Sequence, residues 1–76
     1  MPPRLPARLP TKQVHSALLR LGFFMARDDG PHTVYAYPGR PKVRFVLPRH
    51  AMVGRHLVVS ALKDAGFSEQ QVLDVF

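Results

Sequence analysis

Val14, Ala17, Leu18 and Leu21 recur at i, i+3, i+4 and i+7, which is one apolar stripe along a helix. Thr11 suits the N-cap and Gly22 the stop, so the pattern predicts a helix over Thr11–Leu21, with Leu19 off the stripe. Phe23–Arg27 is short and apolar, bounded by Gly22 and by Asp28-Asp29-Gly30-Pro31, and reads as a strand ended by a turn. His32–Tyr37 carries the β-formers Thr33, Val34, Tyr35 and Tyr37 and predicts a second strand. Pro38-Gly39-Arg40-Pro41 is a turn signal. In Lys42–Leu47, Val43, Phe45 and Leu47 alternate with Lys42 and Arg44, and Pro48 ends the run. Arg49–Val53 reads as a loop. Val58, Ala61, Leu62 and Ala65 give a second helical stripe over Arg55–Ala65, closed by Gly66. Ser68-Glu69-Gln70-Gln71 is a capping box that opens a short third helix to about Val75.

Three strands joined by short turns form an antiparallel meander. Both long helices must bury their stripes on the same side of it. The expected fold class is therefore α+β: a two-layer α-β-β-β-α sandwich of the double-stranded-RNA-binding type, with a three-stranded antiparallel sheet and a short C-terminal helix. Thr33, Tyr35 and Tyr37 share one sheet face, and His32, Val34 and Ala36 share the other. Tyrosines facing solvent would stack unpaired bases; facing the helices they are core, which a small sheet in need of large inward residues favours. Residues 1–10 hold four of the eight prolines and two arginines. Proline this dense opposes helix and sheet, so these residues read as a flexible Pro/Arg-rich arm and 11–76 as a single domain.

Charge changes the picture more than composition does. The 76 residues carry a net charge of +6, which points to an anionic partner. Met1–Arg55 holds ten Lys/Arg against two acids, whereas His56–Phe76 holds one Lys against three acids. No Asp or Glu lies between Gly30 and Leu62. The absence of cysteine excludes a disulfide scaffold, a thiol nucleophile and Cys-ligated zinc. No apolar run reaches the roughly 20 residues of a membrane span, and MPPRLPARLP lacks the continuous apolar core of a signal peptide. A cytoplasmic protein without membrane association is expected.

Gly30-Pro31-His32 carries the candidate chemistry. A histidine just past a glycine turn, at the head of a strand, is fixed yet reachable. An ordinary imidazole titrates near pH 6.5, so it exchanges a proton at neutral pH. Removing the 2′-OH proton of RNA, or protonating the leaving 5′-oxygen, needs such a group. The bland alternative is a turn histidine that caps or binds without chemistry. Charge on the phosphorane then falls to cations. Candidates are Arg27, Arg40, Lys42, Arg44 and Arg49, of which Lys42 and Arg44 share a strand face. Asp28-Asp29 is the one acidic pair before the last helix and reads as solvated turn residues. His50 and His56 have no metal-ligand spacing with His32. No metal or other cofactor is expected. His15 lies off the first helical stripe and reads as exposed.

The order of these pieces resembles the HicA (YcfA-like) toxins, small ribonucleases of bacterial toxin–antitoxin pairs. The resemblance spans about Thr11–Phe67. It rests on Leu21-Gly22-Phe23, on Arg27 before the turn, on Gly30-Pro31-His32, and on Tyr35 and Pro38 along the second strand. It extends through Leu47-Pro48-Arg49-His50 after the third strand and Leu62-Lys63-Asp64-Ala65-Gly66-Phe67 at the close. Pro31 stands where the family has serine or glycine. Gly54-Arg55-His56-Leu57-Val58 replaces the family's proline–lysine–glycine–threonine–leucine. The resemblance implies a metal-independent endoribonuclease (an mRNA interferase) with His32 as general acid or base. Arg27, Arg40, Lys42, Arg44, Arg49 and His50 would face RNA. The partner would be a HicB-like antitoxin covering the basic face. The alternative is a non-catalytic RNA-binding module on the same fold.

Overall fold

The computed structural model describes residues 6–49 and 52–76. The chain runs β1 (Arg8–Pro10), α1 (Thr11–Leu21), β2 (Phe24–Asp28), β3 (His32–Tyr37), β4 (Arg40–Pro48), β5 (Met52–Gly54), α2 (Arg55–Asp64) and α3 (Glu69–Asp74). Strands β2, β3 and β4 form a three-stranded antiparallel sheet in chain order, so the expected α+β meander with flanking helices and a short C-terminal helix is the fold. Val14, Ala17 and Leu18 of α1, Val58 and Leu62 of α2 and Val72 of α3 are buried. All but Ala17 meet Phe23, Tyr35, Phe45 and Leu47 in one apolar cluster. Tyr35 is only 2% exposed, so the Thr33–Tyr35–Tyr37 face is the inner one and the tyrosines belong to the core side.

The structure departs from the sequence reading mainly at the short elements. Within the stretch read as a flexible arm, Arg8–Pro10 is a strand. Met52 and Val53, from the stretch read as a loop, form its antiparallel partner together with Gly54. Leu9 sits opposite Val53 and is fully buried. Proline is tolerated here because β1 pairs on one side alone, leaving Pro10 no ladder donor to lose. Since β1 runs directly into α1, Pro10 takes the N-cap position and Thr11 is the first helical residue. β2 lies one residue later than expected. β4 is longer, because a register shift opposite Ala36 and Tyr37 pairs Arg44 and then Arg40 with them and takes Pro41, Lys42 and Val43 into a bulge. Gly22 needs its glycine twice over: its φ is +106°, and a Cβ there would meet the Tyr37 ring at 3.2 Å. The capping box at Ser68 forms as its sequence indicates, the Ser68 hydroxyl accepting from the Gln71 N–H while the Gln71 side chain accepts from the Ser68 N–H.

Candidate functional site

The turn that presents His32 is held by its two acids. The Asp28 carboxylate accepts the Gly30 N–H at 3.1 Å through one oxygen and the Arg49 guanidinium through the other. Asp29 accepts from Arg27 Nε at 2.6 Å, and its N–H donates to the His32 carbonyl at 2.9 Å. The Arg49 N–H donates to the Pro31 carbonyl at 2.9 Å. Gly30 supplies the positive φ of +87° that the reversal requires. Asp28 and Asp29 are thus ion-pair partners of the turn rather than merely solvated residues. Both pairs are exposed, so their contribution is geometry more than stability.

His32 is exposed at the head of β3. Pairing sets the side-chain directions. His32 sits opposite Pro48, Val34 opposite Val46 and Arg27, and Ala36 opposite Arg44 and Phe24. These residues share the outer sheet face, because directly opposed residues project to the same side. Arg27 and Arg44 therefore lie on the face of His32. Thr33, Tyr35, Asp28 and Leu47 point to the helix side by the same register.

The other predicted cations are distributed differently. Arg49 is on the helix side, paired with Asp28. The Arg40 guanidinium sits 5.9 Å from the Tyr37 ring centroid, at the far end of the sheet from His32. Lys42 is exposed in the bulged stretch of β4. His50 lies outside the described residues. No hydrogen bond orients the His32 imidazole among the described residues.

On the helix side an open cleft of about 610 Å³ is walled by Lys12, His15, Ser16, Thr33, Tyr35 and Arg49, among others. His15, off the apolar stripe of α1, is not simply exposed. It is half-buried, and its Nδ1 lies 2.5 Å from the Tyr35 hydroxyl, with the rings edge to face at 5.6 Å. Burial pushes the Tyr35 phenol above its usual value; the Asp28 carboxylate adds to the rise and the Arg49 guanidinium opposes it. This pair escaped sequence reasoning because His15 and Tyr35 are 20 residues apart on different elements. Among the described residues no three His, Asp or Glu side chains gather as a metal site. No helix there is long and apolar enough to cross a membrane.

A family profile described as the HicA toxin of bacterial toxin–antitoxin matches residues 11–67, most of the chain and the whole stretch from α1 through α2. The chain belongs to the HicA toxin family. No curated protein matches it. HicA membership brings a toxin role and, in general terms, an antitoxin partner. In this HicA chain the matched region contains the Gly30 turn, His32, the outer sheet face and the cleft, and it begins just after β1.

Proposed function

We infer that this HicA-family chain is a metal-independent endoribonuclease acting on single-stranded messenger RNA in the cytoplasm. The observation that carries this reading is His32, solvent-open behind a braced glycine turn on the same face as Arg27 and Arg44. The imidazole takes the proton of a 2′-hydroxyl. The 2′-oxygen attacks the adjacent phosphorus, the P–O5′ bond breaks, and the 5′-oxygen leaves with a proton from water or from the imidazolium. The products are a 2′,3′-cyclic phosphate and a 5′-hydroxyl. Negative charge on the phosphorane is met by arginine: Arg27, the outer-face cation nearest His32 in register, supplies it, and Arg44 and Lys42 hold phosphates farther along the RNA. Arg40, beside the Tyr37 ring at the far end of the sheet, and Arg49, paired with Asp28 on the helix side, lie off this path. The antitoxin, HicB-like and acidic toward this surface, covers His32 and the basic residues around it. Complementary charge makes that capture fast and selective.

The test is cleavage of a single-stranded RNA in excess EDTA. Wild type cleaves, and His32→Ala loses about 10² to 10⁴-fold. A 2′-deoxy nucleotide at the scissile position abolishes the reaction. Equal cleavage by wild type and variant overturns the assignment of His32. The second reading, an RNA-binding module without catalysis, draws on the lack of a hydrogen bond orienting His32 and on Pro31 in the turn. It predicts salt-sensitive RNA binding with no cleavage by either protein.

A further inference from the structure

Among the described residues the buried positions of the helices join Tyr35, Phe45 and Leu47 of the inner sheet face, and the outer face, left largely open, is not a polar surface. Phe24 and Val46 are 47% and 54% exposed, and Val34 and Ala36 lie between them. Phe24 is the aromatic of this face, the role that Tyr35 and Tyr37 do not take. It occupies one row with Ala36 and Arg44, crossing the sheet from β2 to β4. Strands about 4.8 Å apart put Phe24 and Arg44 about 10 Å from each other across Ala36. Alanine between them puts a small side chain beside the half-exposed Phe24. Four residues along β3, about 13 Å away at the strand rise, stands His32 on the same face. Neither β3 nor β4 carries an acid.

An apolar strip of this kind, bordered by arginines, fits a ligand with flat apolar faces and a polyanionic backbone. We propose that Phe24 is the base-stacking subsite of this face: a nucleobase of single-stranded RNA lies against the Phe24 ring, over Ala36. Arg44 and Arg27 hold the backbone on its way to His32. The proposal rests on the ribonuclease reading and adds the path of the strand and a residue that anchors it. Stacking on an aromatic side chain tolerates every base, so this subsite fixes register on RNA without dictating sequence.

The chain has no tryptophan, so Phe24→Trp introduces a single reporter at the subsite. Titrating that variant with a short oligoadenylate RNA quenches the indole fluorescence if a base stacks there; saturable RNA binding without any change in emission overturns the proposal. Phe24→Ala and Phe24→Leu weaken binding of the same RNA about tenfold or more, without altering the dependence of affinity on salt, because a stacked ring contacts no phosphate. Leu19→Ala, at another exposed apolar position on α1, leaves binding unchanged. Circular dichroism melts confirm that the Phe24 variants fold, as its half-exposed ring allows. If wild type cleaves RNA through His32 while both Phe24 variants bind normally, the stacking subsite is wrong and the ribonuclease reading stands. If wild type neither binds nor cleaves RNA, both fail together, and the strip is left as a surface for protein.

Discussion

Tyr35 illustrates how one residue couples the core to the cleft. Its ring is packed in the apolar cluster, while its hydroxyl reaches His15 at 2.5 Å. A buried hydroxyl without a partner costs about 1–3 kcal/mol, whereas removing it altogether costs about 1. Tyr35→Phe is therefore milder than His15→Ala in denaturant melts at neutral pH. The raised phenol pKa sets a second expectation. A group held neutral by the fold contributes its stability fully below its unfolded pKa, about 10 for tyrosine, and loses it as pH rises beyond that toward the folded value. The gap between wild type and Tyr35→Phe should thus narrow as pH rises through and above about 10. A gap that stays constant over that range would show that burial does not shift the phenol. Nothing in the local sequence announces this pair. His15 is off the apolar stripe of α1, and only the docking of α1 on β3 brings the two residues together.

At the scale of elements, β1 and β5 close the core where the sequence suggests loose chain. Each has three residues, too few to display an alternating period, and their pairing joins segments far apart in the chain. Proline density in 1–10 hides the burial of Leu9. The prediction is direct: Leu9→Ala costs about 2–5 kcal/mol, as for other core leucines. A domain of this size has a total stability of about 4–11 kcal/mol, so the melting temperature falls by at least about 10 °C. A fall within a few degrees would mean that β1 is a dispensable arm. The elements read correctly are those with enough residues to show a pattern. The stripe of α1, the β-formers of β3, the alternation of β4 and the capping box of α3 each span at least one full repeat of their own geometry. Boundaries slipped where long-range pairing decides them, as in the β4 bulge opposite Ala36 and Tyr37. The site was legible in part: Gly30 and His32 stand out locally, whereas the division of the cations between two faces follows from register alone.

For the whole molecule, that division matters more than the net charge. Arg27 and Arg44 share the outer face with His32, whereas Arg40 packs toward Tyr37 and Arg49 toward Asp28 on the helix side. A count of basic residues treats them as equivalent. Salt dependence does not, because each phosphate neutralised on a single strand contributes about −0.7 to the slope of log K against log salt. If RNA lies along the outer face, Arg44→Ala makes the slope shallower by about 0.7 and Arg40→Ala leaves it unchanged. The same pair of variants separates location from bulk charge, since each removes one positive charge from the same molecule. A slope that responds instead to Lys12→Ala and Arg49→Ala would put the strand in the helix-side cleft, beside His15 and Tyr35. That result would detach RNA binding from His32, because the two sides of the sheet are separated by the thickness of the sheet itself. Equal responses at all four positions would mean a diffuse electrostatic association with no defined path. Only the first outcome leaves the backbone held on the face where His32 can reach a 2′-hydroxyl.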